Sequence, residues 1–345
     1  MEVYTKKSVV NPITKFVSSV AFVVSLVLFC MNPVSCKMSE EGIDVLESSN
    51  SPVIQSFEVT TSSSASVIFT KEVNVITATV FFADSKDSIG VSFDGMLRDN
   101  FYYVNFEFAE DLQLGKSYEL YGEVEDNHGN SLTFNLPFLG FNNNVPELEI
   151  TEIHPKYVKA SNNYKCEYVE IYVNSSGNLS GLELVSGYDG EDKKYSFPTI
   201  EVCKGEYLIV HLRSKGDGCI SELGNELDLS FAKYSCDSAR DLWDSNEEAR
   251  LGDDNDVVIL RNSSNGIILD AVLYATSESL NWKKDYQKDL AILAFEGNKW
   301  SPSSEITSAI KIDGITASKS IVKNNKENCA SSWSVTNSSG ETPGF

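Results

Sequence analysis

Between residues 147 and 184 the chain alternates with a period of two. Leu148, Ile150 and Glu152 fall on one face and Glu149, Thr151 and Ile153 on the other; further on, Cys166, Tyr168, Glu170 and Tyr172 oppose Glu167, Val169, Ile171 and Val173. Successive side chains of a strand point to opposite faces of a sheet, whereas a helix returns to one face every three or four residues, so this spacing predicts strands. Asn174-Ser175-Ser176-Gly177 supplies turn residues before the next apolar run, Leu179 to Leu184. A sheet must bury its apolar face against a second layer, so the stretch predicts the nucleus of a β-sandwich.

The same rhythm fills residues 52–141. Short β-like runs recur at 53–59, 66–70, 75–83, 90–93, 101–108, 117–125 and 131–138, the spacing of an immunoglobulin-like sandwich of about seven strands. Tyr118, Leu120, Gly122 and Val124 share a face; after Asp126-Asn127-His128-Gly129-Asn130 come Leu132, Phe134, Leu136 and Phe138, which makes a hairpin with a glycine-bearing turn. At 345 residues, against about 100–200 residues per domain, the chain suits two domains and a targeting segment. The expected fold is therefore mainly β: an Ig-like sandwich at 52–141, a linker at 142–146 marked by three asparagines and Pro146, and a second sandwich domain at 147–345. The exception is 280–297, where Tyr286, Leu290, Leu293 and Phe295 predict one face of an amphipathic helix stopped by Gly297.

Residues 1–35 read as a signal peptide. Lys6, Lys7 and Lys15 precede an apolar run from Phe16 to Met31, which is shorter than the roughly 20 residues of a spanning helix. Val34-Ser35-Cys36 resembles the end of a bacterial lipobox, with Pro33 in place of the usual aliphatic residue, as in the relaxed lipoboxes of spirochaete-type lipoproteins. The resemblance implies lipidation of Cys36; the alternative is an ordinary cleaved secretory peptide. Residues 36–51, acidic and serine-rich, then form a tether that as a coil reaches roughly 20 Å.

Several motifs resemble the lamin-tail domain of bacterial envelope proteins. Ile150-Thr151-Glu152-Ile153 stands for its I-N-E-I strand, Glu167-Tyr168-Val169-Glu170-Ile171-Tyr172 for its E-Y-I-E-L-Y strand, and Leu179-Ser180-Gly181-Leu182-Glu183-Leu184 for L-S-G-W-x-L. Cys203-Lys204-Gly205-Glu206-Tyr207-Leu208, the hairpin from Asp254 to Val272 with its Asn265-Gly266 turn, and the closing Trp333 and Thr342-Pro343-Gly344 follow in the family's order; Ser332 replaces the Asp that usually precedes the Trp. Leu112 to Asn130 similarly resembles the last third of bacterial Ig-like modules. These resemblances imply a cell-envelope protein built from a spacer-like module and a lamin-tail module enlarged by a cysteine loop and a helix.

Chemistry is sparse. His128, His154 and His211 occur in no H-E-x-x-H, H-x-H or G-x-S-x-G pattern, and neither a phosphate loop nor a dinucleotide fingerprint appears. Glu152, Glu167 and Glu170 are candidate carboxylates on adjacent strands; Glu152 and Glu170 match lamin-tail positions, and the resemblance implies that these two serve strand-end hydrogen bonding rather than catalysis. Asp253, Asp254, Asn255 and Asp256 are weak Ca²⁺ candidates, a solvated acidic loop being the plainer reading, and Asp126, His128 and Asn130 read as a turn. Cys166, Cys203, Cys219, Cys236 and Cys329 are an odd set; Cys219 and Cys236, which flank a polar loop, are the candidate disulfide.

The net charge is −22, and about −24 once residues 1–35 are removed, which disfavours nucleic acid and favours cationic protein partners. The expected function is a non-catalytic binding or adhesion module, lipid-anchored in the cell envelope and without a cofactor. Alternatives are an accessory part of a secreted nuclease or other hydrolase system, and a carboxylate- or Ca²⁺-dependent hydrolase.

Overall fold

A computed structural model describes residues 50–188 and 190–345. The expected signal peptide at 1–35, Cys36 and nearly all of the expected tether lie outside the described residues. In the first sandwich, the strands are β1 (Ile54–Thr61), β2 (Ser64–Phe69), β3 (Asn74–Phe82), β4 (Ser88–Ile89), β5 (Val91–Arg98), β6 (Phe101–Phe108), β7 (Ser117–Glu125) and β8 (Ser131–Leu139). They form two four-stranded sheets, in the orders β1-β2-β6-β5 and β4-β3-β7-β8. Their facing sides enclose a core that includes Val67, Phe69, Val80, Phe106, Tyr118, Leu120 and Val124.

The β7–β8 hairpin pairs as the sequence predicts, with Tyr118 opposite Phe138 and Gly122 opposite Phe134. Gly122 is required by packing: a Cβ there would sit 2.3 Å from the Phe134 ring. The strand expected at 90–93 runs on to Arg98, because Asp99 and Asn100, both at positive φ, make a two-residue turn that carries the pairing directly into β6.

In the second sandwich, the strands are β9 (Leu148–His154), β10 (Val158–Ala160), β11 (Asn163–Lys165), β12 (Tyr168–Val173), β13 (Gly177–Asn178), β14 (Leu182–Ser186), β15 (Tyr195–Ser196), β16 (Glu201–Val202), β17 (Tyr207–His211), β18 (Arg240–Trp243), β19 (Asn255–Asn262), β20 (Ile268–Ala275), β21 (Ile310–Lys311), β22 (Ile321–Lys323) and β23 (Trp333–Val335). A six-stranded sheet, β18-β17-β12-β9-β22-β23, faces a five-stranded one, β15-β14-β19-β20-β21. Between them lies a core that includes Ile150, Ile153, Val169, Ile171, Leu182, Val258, Leu260, Leu273 and Trp300.

Strict alternation fails in β9. Glu170 pairs with Glu152, but its neighbour Ile171 pairs with Ile150, so Thr151 is an extra residue in a β-bulge. A bulge moves every following side chain to the opposite face. Ile150 and Ile153 therefore both enter the core, and Glu152 and His154 are turned outward beside Glu170 and Tyr168.

The α-helix α1 (Asp285–Glu296) packs on β19 and β20 and begins later than position 280. Its buried face matches the predicted one only in part: Leu290 is buried and Tyr286 packs half-buried against the core, but the other two positions do not. Gln287, Leu290, Ala291 and Ala294 face the sheet, while Leu293 and Phe295 are 46% and 43% exposed. Two alanines let the helix approach closely, and Gln287 supplies the contact that fixes its rotation: its Nε2 donates to the Asn255 carbonyl at 3.0 Å and to Asp256 at 3.3 Å.

Candidate functional site

A buried array of ionisable side chains lies on the outer face of the six-stranded sheet. The bulge in β9 sets Glu152 opposite Glu170, with His154 and Tyr168 one pair further along. All four are at most 1% exposed, because the C-terminal tail and the cysteine loop at 214–239 cover them.

The tail is held by the two glutamates. Tyr168 Oη donates to Glu152 at 2.6 Å, and Thr342 donates to Glu152 from its backbone N at 3.2 Å and from its Oγ1 at 3.0 Å. Thr151 Oγ1 and the Gly344 backbone N each donate to Glu170 at 2.6 Å. Next to them Tyr234 Oη donates to Glu341 at 2.9 Å and lies 3.3 Å from His154 Nε2; Lys165 pairs with Glu341 at 3.3 Å. Burial drives Glu170 up to about 7 despite its donors, and burial drives His154 down to about 4, so the imidazole is neutral at neutral pH.

The cysteine loop is held on the same face, beside Tyr168. His211 Nε2 lies 2.6 Å from Asp241 and its ring stacks on Trp243, centroids 3.7 Å apart. Asp241 also accepts from the Cys236 backbone N at 3.1 Å. Glu222, fully buried inside the loop, accepts from the backbone N atoms of Asp241, Leu229 and Ser230. Arg240 bonds Glu206 at 2.6 Å and the carbonyls of Glu222 and Gly224.

Chemically, a His, Tyr and carboxylate set can move protons, but only for a substrate that reaches it. Here the donors and acceptors close on one another and on the tail. A cleft of about 480 Å³ lies elsewhere, between the sandwiches, lined by Phe57, Tyr118, Phe138, Glu183, Lys194 and Ser263 among others. None of the buried groups named above lines it. The arrangement therefore works as a polar seam that fixes two irregular segments to a sheet.

The remaining candidates are dispersed. Glu167 lies outside the seam, paired with Arg213 at 2.8 Å, and burial raises its carboxyl above the ordinary range. The acidic loop points four ways: Asp253 to Lys156 at 3.3 Å, Asp254 to Lys283 at 2.6 Å, Asn255 Nδ2 to Ser279 at 3.2 Å, and Asp256 inward. Asp256 accepts from Ser186 Oγ, the backbone N atoms of Tyr188 and Gly252, and Gln287; burial still lifts it to about 6. Among the described residues no His, Cys, Asp or Glu group is arranged to hold a metal ion.

Asp126 caps its own turn, accepting from the His128 and Asn130 backbone N atoms at 2.9 Å and pairing with Lys71 at 3.0 Å; its pKa is lowered, first by the Asn130 side chain. Cys219 and Cys236 are not joined. Both are free thiols, Cys219 against the Lys215 carbonyl and Cys236 beside Ser238, under the tail at Gly344. Sequence reasoning missed Tyr168, Glu222, Tyr234, Asp241 and Glu341 as members of the seam; the Thr342-Pro343-Gly344 ending was the one signal that the tail had a docking place.

Fold and seam together define a mainly β protein of two sandwiches whose second half is closed by its own C-terminus. Residues 146–335, more than half of the chain, match the family model "TP_1001_2nd: protein second domain", and the chain belongs to that family. It is 29% identical over 216 residues to an uncharacterized protein of Treponema pallidum (strain Nichols), an alignment that covers 60% of this chain. It spans about half of that relative, 53% of its length. Among solved structures, a DUF4876 family protein from Bacteroides thetaiotaomicron VPI-5482 is similar at 13% identity and a TM-score of 0.31, covering 74% of this chain and 83% of that one. The N-terminal part of the bacterial S-layer protein SbsC is similar at 14% identity and a TM-score of 0.27, covering 69% and 47%.

Proposed function

We propose that this chain is a non-catalytic module of the cell envelope, held to a membrane through lipidated Cys36, that binds a cationic protein without a metal or cofactor. In this reading the second sandwich is a lamin-tail type of module. The observation that carries it is the direction in which the ionisable groups face. In the second sandwich Glu152, Glu170, His154, His211, Asp241 and Glu222 are buried on the outer face of the sheet and under the loop, where they are bonded to one another, to the tail and to backbone groups. The surface is left to an excess of acids, 50 against 28 Lys and Arg in the whole chain, a distribution that attracts cations and repels polyphosphates.

The test is binding of the full chain to immobilised, strongly basic proteins in rising salt. Saturable binding that weakens with ionic strength and is unchanged by Ca²⁺ or a chelator supports the reading; no response across the panel overturns it. Hydrolysis of a phosphate ester, nucleic acid or carboxylic ester that disappears in Glu170→Gln would also overturn it. For the anchor, Cys36→Ser should move the chain from the detergent phase to the aqueous phase, and unchanged partitioning removes lipidation from the reading.

A further inference from the structure

Among the described residues, strand β5 is the outermost strand of its sheet, paired with β6 on one side only. It is eight residues long and pairs without a bulge, and it carries neither Lys nor Pro, the devices that usually blunt a free edge. Its apolar residues are open: Phe93, Met96 and Leu97 are 43%, 49% and 67% exposed. The reason is local. The neighbouring edge of the facing sheet is β4, two residues long, which ends before it can cover them.

The β5–β6 register fixes which way each residue faces. Val91, Phe93, Gly95 and Leu97 lie opposite Phe108, Phe106, Val104 and Tyr102 on the core side, and Ser92, Asp94, Met96 and Arg98 lie on the outer side. The Asp99-Asn100 turn is closed by a hydrogen-bonded pair, Arg98 and Phe101, and such pairs alternate along an antiparallel ladder. The N–H and C=O groups of Phe93, Gly95 and Leu97 therefore point to the open side.

We propose that β5 is a self-association edge: two copies of this chain pair their β5 strands antiparallel about a two-fold axis through Met96. In that register Asp94 of each copy faces Arg98 of the other on the outer side, and the two Met96 side chains meet on the axis. Leu97 of each copy crosses Gly95 of the other, where no side chain intervenes and the Tyr102 ring already lies over the backbone; a Cβ at Gly95 would stand 2.4 Å from Tyr102 Oη. Shifting the axis to Asp94 would set two carboxylates face to face, which is destabilising. Between these two axes the charge pattern selects Met96, and because the same patch serves both copies the pairing stops at a dimer.

The net charge of −22 makes two copies repel at long range, so screening by salt strengthens this dimer. Binding to a cationic protein responds in the opposite sense, and the proposal does not rest on it. The experiment is sedimentation velocity of the full chain from 1 to 100 µM at low and at moderate salt, with three variants. The expected result is a dimer that tightens with salt, a dissociation constant at least tenfold weaker in Leu97→Lys, and an oxidation-induced cross-linked dimer in Met96→Cys. Wild type and Ser92→Cys should lack that cross-link, since in this register the two Ser92 positions are about 27 Å apart at the rise of a strand. A monomer at 100 µM in both salts, a dimer indifferent to Leu97→Lys, or no cross-link in Met96→Cys overturns the proposal. Circular dichroism of each variant checks that these exposed substitutions leave the fold intact.

Discussion

The two sandwiches close themselves by different means. The first is an aromatic core under short loops, with ring contacts such as Tyr118 on Phe138 and Phe69 on Phe134, and its outer strand β5 is left open. The second buries carboxylates and histidines under a loop and a tail that contribute few strands of their own. What the difference teaches is where specificity comes from. Apolar packing tolerates slippage, whereas Glu152 and Glu170 accept from backbone atoms at single positions of the tail, so only one placement of Thr342 and Gly344 satisfies both. All four tryptophans, Trp243, Trp282, Trp300 and Trp333, belong to the second sandwich, so indole fluorescence follows its unfolding separately from the first.

The largest expected effect that would break this contrast comes from Glu152→Ala. It strands the Tyr168 hydroxyl in a buried site, at about 1–3 kcal/mol, and removes the two part-buried Thr342 bonds, at about 1 kcal/mol each, so the second sandwich should lose about 4 kcal/mol. Urea unfolding followed by tryptophan emission measures it, and digestion by a carboxypeptidase should show the tail released. A loss under about 1 kcal/mol would mean that the seam is not what holds this half closed.

A smaller effect, with opposite signs in the two halves, comes from pH. Burial raises Glu170 to about 7, and Asp256 and Asp270 to about 6. A raised acid favours the folded state while protonated, so its contribution is full below the unfolded pKa and is lost as pH rises through the folded one. His154, lowered to about 4, runs the other way: its contribution is full above about 6.5 and lost as pH falls. At 1.36 kcal/mol per pKa unit the acids outweigh the histidine, and from pH 5 to pH 8 the second sandwich should lose about 3 kcal/mol. Glu170→Gln should flatten most of that slope. The first sandwich should instead lose stability as pH falls below the ordinary aspartate range, because the pKa of Asp126 is lowered in the folded state. Loss of strand signal in circular dichroism at acid pH beyond what accompanies the tryptophan transition reads the second trend, and parallel slopes in both halves would refute the contrast.

Much of the fold was legible because alternation is a local signal. The β7–β8 hairpin, the β19–β20 hairpin and the inward set Val169, Ile171 and Val173 all follow from period two. The seam was harder to read. It depends on a bulge at Thr151, and strict alternation put Ile153 on the face opposite Ile150; the clue was two isoleucines three residues apart, both of which a sandwich needs inside. It also depends on contacts such as Thr342 with Glu152, 190 positions apart, which no local pattern encodes. The acidic loop misled for a related reason. Four adjacent oxygen-bearing residues look like a ligand set, yet Asp256 belongs to the strand register and points inward, while Asp253 and Asp254 find separate lysines.

The helix offers the sharpest version of the same lesson. Hydrophobicity alone selected Leu293 and Phe295 as buried, but a close approach to β19 and β20 favours the side with Ala291 and Ala294, and Gln287 then locks the rotation through Asp256. Leu290, on the buried face at 1% exposure, should cost about 2 kcal/mol when changed to alanine, near the low end for a core leucine because it lies under a helix at the rim that can settle. Leu293→Ala should stay within about 0.5 kcal/mol of wild type, as exposed substitutions do. Measured together by urea unfolding on tryptophan emission, the pair separates two rotations of one helix: equal losses would return Leu293 to the core and dissolve the Gln287 to Asp256 contact, and with it the account of why that carboxylate tolerates full burial.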